Sequence, residues 1–103
     1  MRRTLNRVVL ARLRAMRSED ALALLAIFLK ADSTYRPVND TTSRRWHACT
    51  TRGDFEILTT GTKWYDTRAK KGGGGAIDLA MHLEGLSFVD AVQCLRQRTA
   101  DHG

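Results

Sequence analysis

In the middle of the chain, Arg44, Arg45, Trp46 and His47, then Lys63, Trp64 and Tyr65, then Arg68, Lys70 and Lys71 interleave cations with flat rings. That mixture suits a flexible polyanion with unpaired bases. Cations meet phosphates, and rings stack on bases without reading sequence, at roughly 1–3 kcal/mol per base. The competing reading makes Trp46 and Trp64 core residues. Strand alternation puts Lys63 and Tyr65 on one face and Trp64 on the other. One tryptophan, Trp64 or Trp46, is therefore expected inside and Tyr65 outside.

Directly downstream, Gly72, Gly73, Gly74 and Gly75 open onto an amphipathic helix. Glycine allows close backbone approach, and a helix N-terminus presents free N–H groups to an anion. Lys70 and Lys71 would add to that field. No Gly-Lys-Ser/Thr follows, so this is not a P-loop, and no βαβ repeat surrounds it, so it is not a dinucleotide fingerprint. The alternative is a flexible linker or a tight turn with no ligand. His47-Ala48-Cys49 hints at metal ligands, but a structural zinc needs a full tetrahedral set. Only Cys94 or His82 could join them, and no Cys-x2-Cys pair exists, so no metal and no cofactor are expected. His47 and Cys49 lack a third orienting residue, so no catalytic residue is assigned and the chain is not expected to be an enzyme.

These residues need a scaffold. The chain has 103 residues, 43% of them apolar, enough for one domain with a modest core. Its net charge of +6 favours a polyanionic partner. Residues 1–17 hold six arginines and no acid, and residues 44–71 hold seven bases against three acids. No apolar run reaches the about 18–20 residues of a membrane span, and Ala21–Leu29 is too short and too acidic at its start for a signal-peptide core. Two cysteines, Cys49 and Cys94, without a secretory signal do not read as a disulfide framework, and a cytoplasmic location is expected.

The spacing of Leu5, Val8, Val9, Leu13 and Met16 predicts a basic amphipathic helix over 4–17. It could pack on the domain, pair with a second copy, dock on a partner, contact phosphates or serve as an organellar presequence. Ser18 reads as the cap of a second, largely buried helix ending around Lys30–Asp32. Residues 32–43 are turn-rich, with Tyr35–Val38 a candidate edge strand. Arg44–Thr50, Asp54–Thr60 and Lys63–Thr67 alternate as strands, joined at Arg52-Gly53-Asp54 and Thr60-Gly61-Thr62. A helix follows from about Gly75 to Leu83. Ser87, with Asp90 three residues on, caps a last helix, and residues 99–103 are expected to fray. The fold class is α+β: a small antiparallel sheet of three to four strands packed with flanking helices. Phe28, Ile57, Ile77, Met81, Phe88 and Leu95 are the expected core.

Trp64-Tyr65, then Gly72-Gly73-Gly74-Gly75-Ala76-Ile77-Asp78-Leu79, then Glu84-Gly85-Leu86-Ser87-Phe88-Val89-Asp90-Ala91 resemble the N-terminal zinc-ribbon domain of bacterial DNA primases. The resemblance covers about residues 20–98, within a domain expected over 18–98, and is most specific over 72–92. It departs at the metal. The family's downstream cysteines fall at Thr67 and Lys70, Cys49 stands at the first ligand position, the partner of Cys49 falls near Arg52, and Gly75 replaces the capping Asp. The resemblance therefore implies a zinc-ribbon-like fold without metal, as in plasmid or mobile-element replication and transfer proteins. It implies non-catalytic binding of DNA, single strands preferred, through Arg44, Arg45, Lys63, Tyr65, Arg68, Lys70 and Lys71 with the backbone of Gly72, Gly73 and Gly74. The alternative is a protein-interaction subunit docking through residues 1–17 on a partner or a second copy.

Overall fold

The computed structural model describes residues 7–38 and 42–102. Among them, helices α1 (Arg7–Ala15) and α2 (Ser18–Leu25) precede five strands: β1 (Phe28–Ala31), β2 (Arg44–Thr50), β3 (Gly53–Thr60), β4 (Lys63–Asp66) and β5 (Lys71–Gly74). Helices α3 (Ala76–Glu84) and α4 (Phe88–His102) close the fold. The sheet runs β1-β2-β3-β4-β5 in chain order, with every neighbouring pair antiparallel. The α+β class is as expected, with five strands where three or four were expected.

Register decides what each side chain faces. Trp46 lies opposite Ile57, Ile57 opposite Asp66, and Thr59 opposite Trp64, so these share one face. That face packs on the helices, where Leu22, Leu25, Ile57, Leu79, Leu83, Val92 and Leu95 are fully buried. The opposite face carries Phe28, Lys30, Arg45, His47, Asp54, Glu56, Leu58, Lys63, Tyr65 and Gly72, and no helix among the described residues covers it. Helix α1 lies against α3 and α4 with Leu13 buried; Thr4 and Leu5 of the expected first helix lie outside the described residues.

Four local expectations are corrected. The apolar run from Ala21 does not stay helical to Lys30. Ala26 turns extended (ψ 143°), Ile27 N–H donates to the Cys49 carbonyl at 2.7 Å, and residues 28–31 supply the partner that the edge of β2 requires. Phe28 consequently leaves the expected core and is 57% exposed. Tyr35–Val38 forms no strand. Ser18 does not cap α2: Arg17 is the N-cap residue, and the Ser18 N–H instead donates to the Gly61 carbonyl at 2.8 Å. Residues 99–102 continue α4. Ser87 does cap that helix, its Oγ accepting the Asp90 N–H at 3.1 Å.

The glycine run is the largest departure. Gly72, Gly73 and Gly74 are not a loop but most of strand β5, paired with β4. Side-chain-free backbone lets the two aromatics of β4 lie across it on opposite faces. A Cβ at Gly72 would stand 3.0 Å from Cδ1 of Tyr65, and one at Gly73 would stand 2.9 Å from Cζ2 of Trp64. We expect Gly73→Val to destabilise the domain by about 1–3 kcal/mol, the usual cost of overpacking. Denaturant unfolding measures it, and a change within error would mean that Trp64 can leave its seat without cost.

Candidate nucleic-acid interface

Tyr65 and Lys63 stand two residues apart on β4 and so share a face, as the alternation predicts; Trp64 points to the other and is 4% exposed. Tyr65 is 41% exposed even though its ring leans on Gly72, which leaves an aromatic surface on an uncovered sheet. Beside it the β4–β5 turn carries Arg68 and Lys70, both exposed. Lys70 occupies the left-handed region (φ 56°), which turns the chain back into β5. Lys63, Arg68, Lys70 and Lys71 form no ion pair among the described residues.

The turn is shaped by one carboxylate. Asp66 Oδ1 accepts the backbone N–H groups of Arg68 at 3.0 Å and Ala69 at 3.1 Å, while Oδ2 meets His82 Nε2 at 2.7 Å. Asp66 is 3% exposed. Burial alone would raise its carboxyl, but the hydrogen bonds from His82, Ala69 and Arg68 and the attraction of His82 outweigh it and hold the carboxyl below its ordinary value. His82 also stacks on Trp64, with centroids 5.0 Å apart, and meets the Phe55 ring edge-on at 5.9 Å. Alongside, Thr67 Oγ1 donates to Glu56 Oε1 at 2.8 Å. The Asp66–His82 pair thus ties the basic turn to α3. Sequence reasoning missed it, although one signal was present: Asp66 stands two residues after inward-facing Trp64, and an acid at an inward position needs a partner.

The other expected site residues divide. Arg45 is on the open face but committed: Nε and Nη2 donate to Asp32 Oδ2 at 2.8 and 2.6 Å, Nε lies 3.8 Å from Glu56, and the guanidinium sits 5.1 Å from the Tyr35 ring centre. The Thr34 hydroxyl and N–H, with Arg45, hold the Asp32 carboxyl far below the usual carboxylate range. Arg45 therefore braces β2 against the β1–β2 connection. Arg44 is exposed but, pairing with Thr59, belongs to the helix-side register. Lys71 pairs with Asp66 and also lies on that side, while Gly72 and Gly74 lie on the open side at the sheet edge.

The N-terminus of α3 is packed against other elements. Gly75, the N-cap of α3 (φ 91°), is buried, its N–H donates to the Thr62 carbonyl at 2.6 Å, and a Cβ there would meet the Arg14 backbone at 3.8 Å. The end of α1 therefore lies against Gly75. His47 and Cys49 share the open face, and no group of three or more His, Cys, Asp or Glu among the described residues is placed to hold a metal ion. The neighbouring Asp54 carboxylate, with some burial, pushes the Cys49 thiol up, which disfavours the nucleophilic thiolate. No helix among the described residues is long and apolar enough to cross a membrane.

No family model matches this chain, and no solved structure matches it. It is similar to a protein of Zymomonas mobilis subsp. mobilis described as a "65 kDa protein", with 37% identity over 100 residues. That alignment covers 85% of this chain and 16% of the relative, so the chain spans about a sixth of the relative's length.

Proposed function

We propose that this chain is a non-catalytic nucleic-acid-binding module that holds single-stranded DNA against the open face of its sheet. The observation that carries the reading is Tyr65, its ring laid over Gly72 on an uncovered face, with Lys63 beside it and Arg68 and Lys70 in the adjoining turn. Bases stack on the ring, phosphates meet the cations, and the bare edge of β5 lets the polynucleotide backbone come close. The primase zinc-ribbon resemblance supports the same surface, with the Asp66 carboxylate organising a turn that thiolates and a metal would otherwise organise. On this reading the chain works in the cytoplasm, in replication or transfer of a plasmid or other mobile element. Its match to a sixth of a longer relative suits a module that delivers single strands to other segments.

Titrating labelled single- and double-stranded oligonucleotides at several salt concentrations tests the reading. Single strands are expected to bind more tightly, with log K falling linearly in log salt by about 0.7 per phosphate neutralised. Lys63→Ala with Lys70→Ala is expected to shallow that slope, whereas Arg45→Ala, already paired, leaves it nearly unchanged. No binding at low salt would end the proposal.

A second reading rests on the cleft between α1 and α4. Val9, Leu13 and Ala100 form its apolar part and Arg12 and Arg96 flank it, a surface suited to an acidic partner helix. Loss of partner capture in Arg12→Glu with DNA binding intact would favour it.

A further inference from the structure

A groove of about 470 Å³ runs along the far side of β5 from Tyr65. One wall is a stripe of α3 at helical spacing, Asp78, Met81, His82 and Gly85; the other is Trp64, Lys71 and Gly72. Its size falls in the range of small-ligand clefts, about 300–1,000 Å³. Lys71 and Asp78 enter it from opposite walls, yet no ion pair closes between them. Opposite charges that line one groove without pairing, together with the apolar surface of Met81, Leu86 and Trp64, suit a flat ligand with donors on one side and an acceptor on the other.

We infer that this groove takes a single unpaired guanine. Its N1–H and 2-amino group would donate to the Asp78 carboxylate, and its O6 would accept from Lys71. The assignment rests on the single-strand reading above and adds base selectivity to it. A phosphate is the wrong occupant, because Asp78 repels it. Adenine and thymine lack adjacent donors to match the carboxylate, and cytosine offers only its amino group. Gly72 borders both the groove and the Tyr65 platform, so a strand passing over the edge of β5 can place one base on each side.

Fluorescence anisotropy with labelled oligothymidine carrying one central substitution tests this. A single deoxyguanosine is expected to tighten binding about tenfold over deoxyadenosine or thymidine, the order expected of one bidentate contact. Deoxyinosine, which lacks the 2-amino group, should lose most of that gain. Asp78→Asn, at an exposed position, and Met81→Trp, which fills the groove, should each erase the guanine preference without lowering oligothymidine affinity. Equal affinity for all four bases, or a preference that survives both variants, would overturn the groove assignment while leaving the single-strand reading standing. Failure of every oligonucleotide to bind would remove both.

Discussion

Asp66→Ala is expected to cost about 3 kcal/mol of folding stability, the upper end of what leaving buried polar groups without their hydrogen-bond partner costs. The loss has two parts: half-buried His82 loses its carboxylate partner, and the amides of Arg68 and Ala69 lose the acceptor that shapes the turn. Out of a total near 5–15 kcal/mol for a domain, that is a large share, and the melting midpoint should fall by about 12–20 °C. The pH dependence has a definite sign. Because the Asp66 carboxyl lies below its ordinary value in the folded protein, its contribution is present above the unfolded value, about pH 3.9, and is lost as pH falls through the lower folded value. Asp32 is lowered as well, so the informative quantity is the stability difference between wild type and Asp66→Asn. That gap should narrow on acidification below about pH 4. A gap independent of pH would mean that the carboxylate charge contributes nothing.

Tyr65→Ala is expected to weaken single-strand binding by about 5- to 100-fold, the loss of one stacked base, with the salt slope unchanged. Tyr65→Phe should keep most of the affinity, since the ring supplies the contact. The separation from the lysine variants is what makes the pair informative. Removing a cation changes the slope, whereas removing the ring lowers the line without tilting it. Because the Tyr65 ring also covers one face of β5, the melting midpoint of each variant is measured beside its affinity, and Tyr65→Phe keeps that cover. An unaltered affinity would place the bases elsewhere on the sheet.

Strands β2, β3 and β4 were legible because each alternates inward and outward residues between turn residues, a signal of period two. The cap at Ser87 was legible for the same kind of local reason. β1 was not, because the apolar run from Ala21 to Leu29 has no period; what separates helix from strand there is the unpaired edge of β2, a demand made from elsewhere in the fold. β5 was hidden for a different reason. Glycines carry no strand signal, and the pairing depends on Trp64 and Tyr65 covering both faces, which no local window contains. The candidate site divided along the same line. Tyr65, Lys63, Arg68 and Lys70 follow from alternation and the turn, whereas the commitment of Arg45 to Asp32 and the union of Asp66 with His82 depend on tertiary placement.

The glycine strand also carries a dynamic consequence. Gly72, Gly73 and Gly74 surrender more backbone freedom on ordering than other residues, roughly 0.5–1 kcal/mol each relative to alanine. Among the described residues β5 has no strand beyond it, so β4, two aromatic rings and α3 chiefly oppose that loss. It should be the first part of the sheet to detach, opening in small excursions while β2 and β3 stay closed. Amide hydrogen exchange would then be fastest at residues 71–74, and a bound strand lying along that edge would slow it most, turning the weakest strand of the fold into its reporter of occupancy.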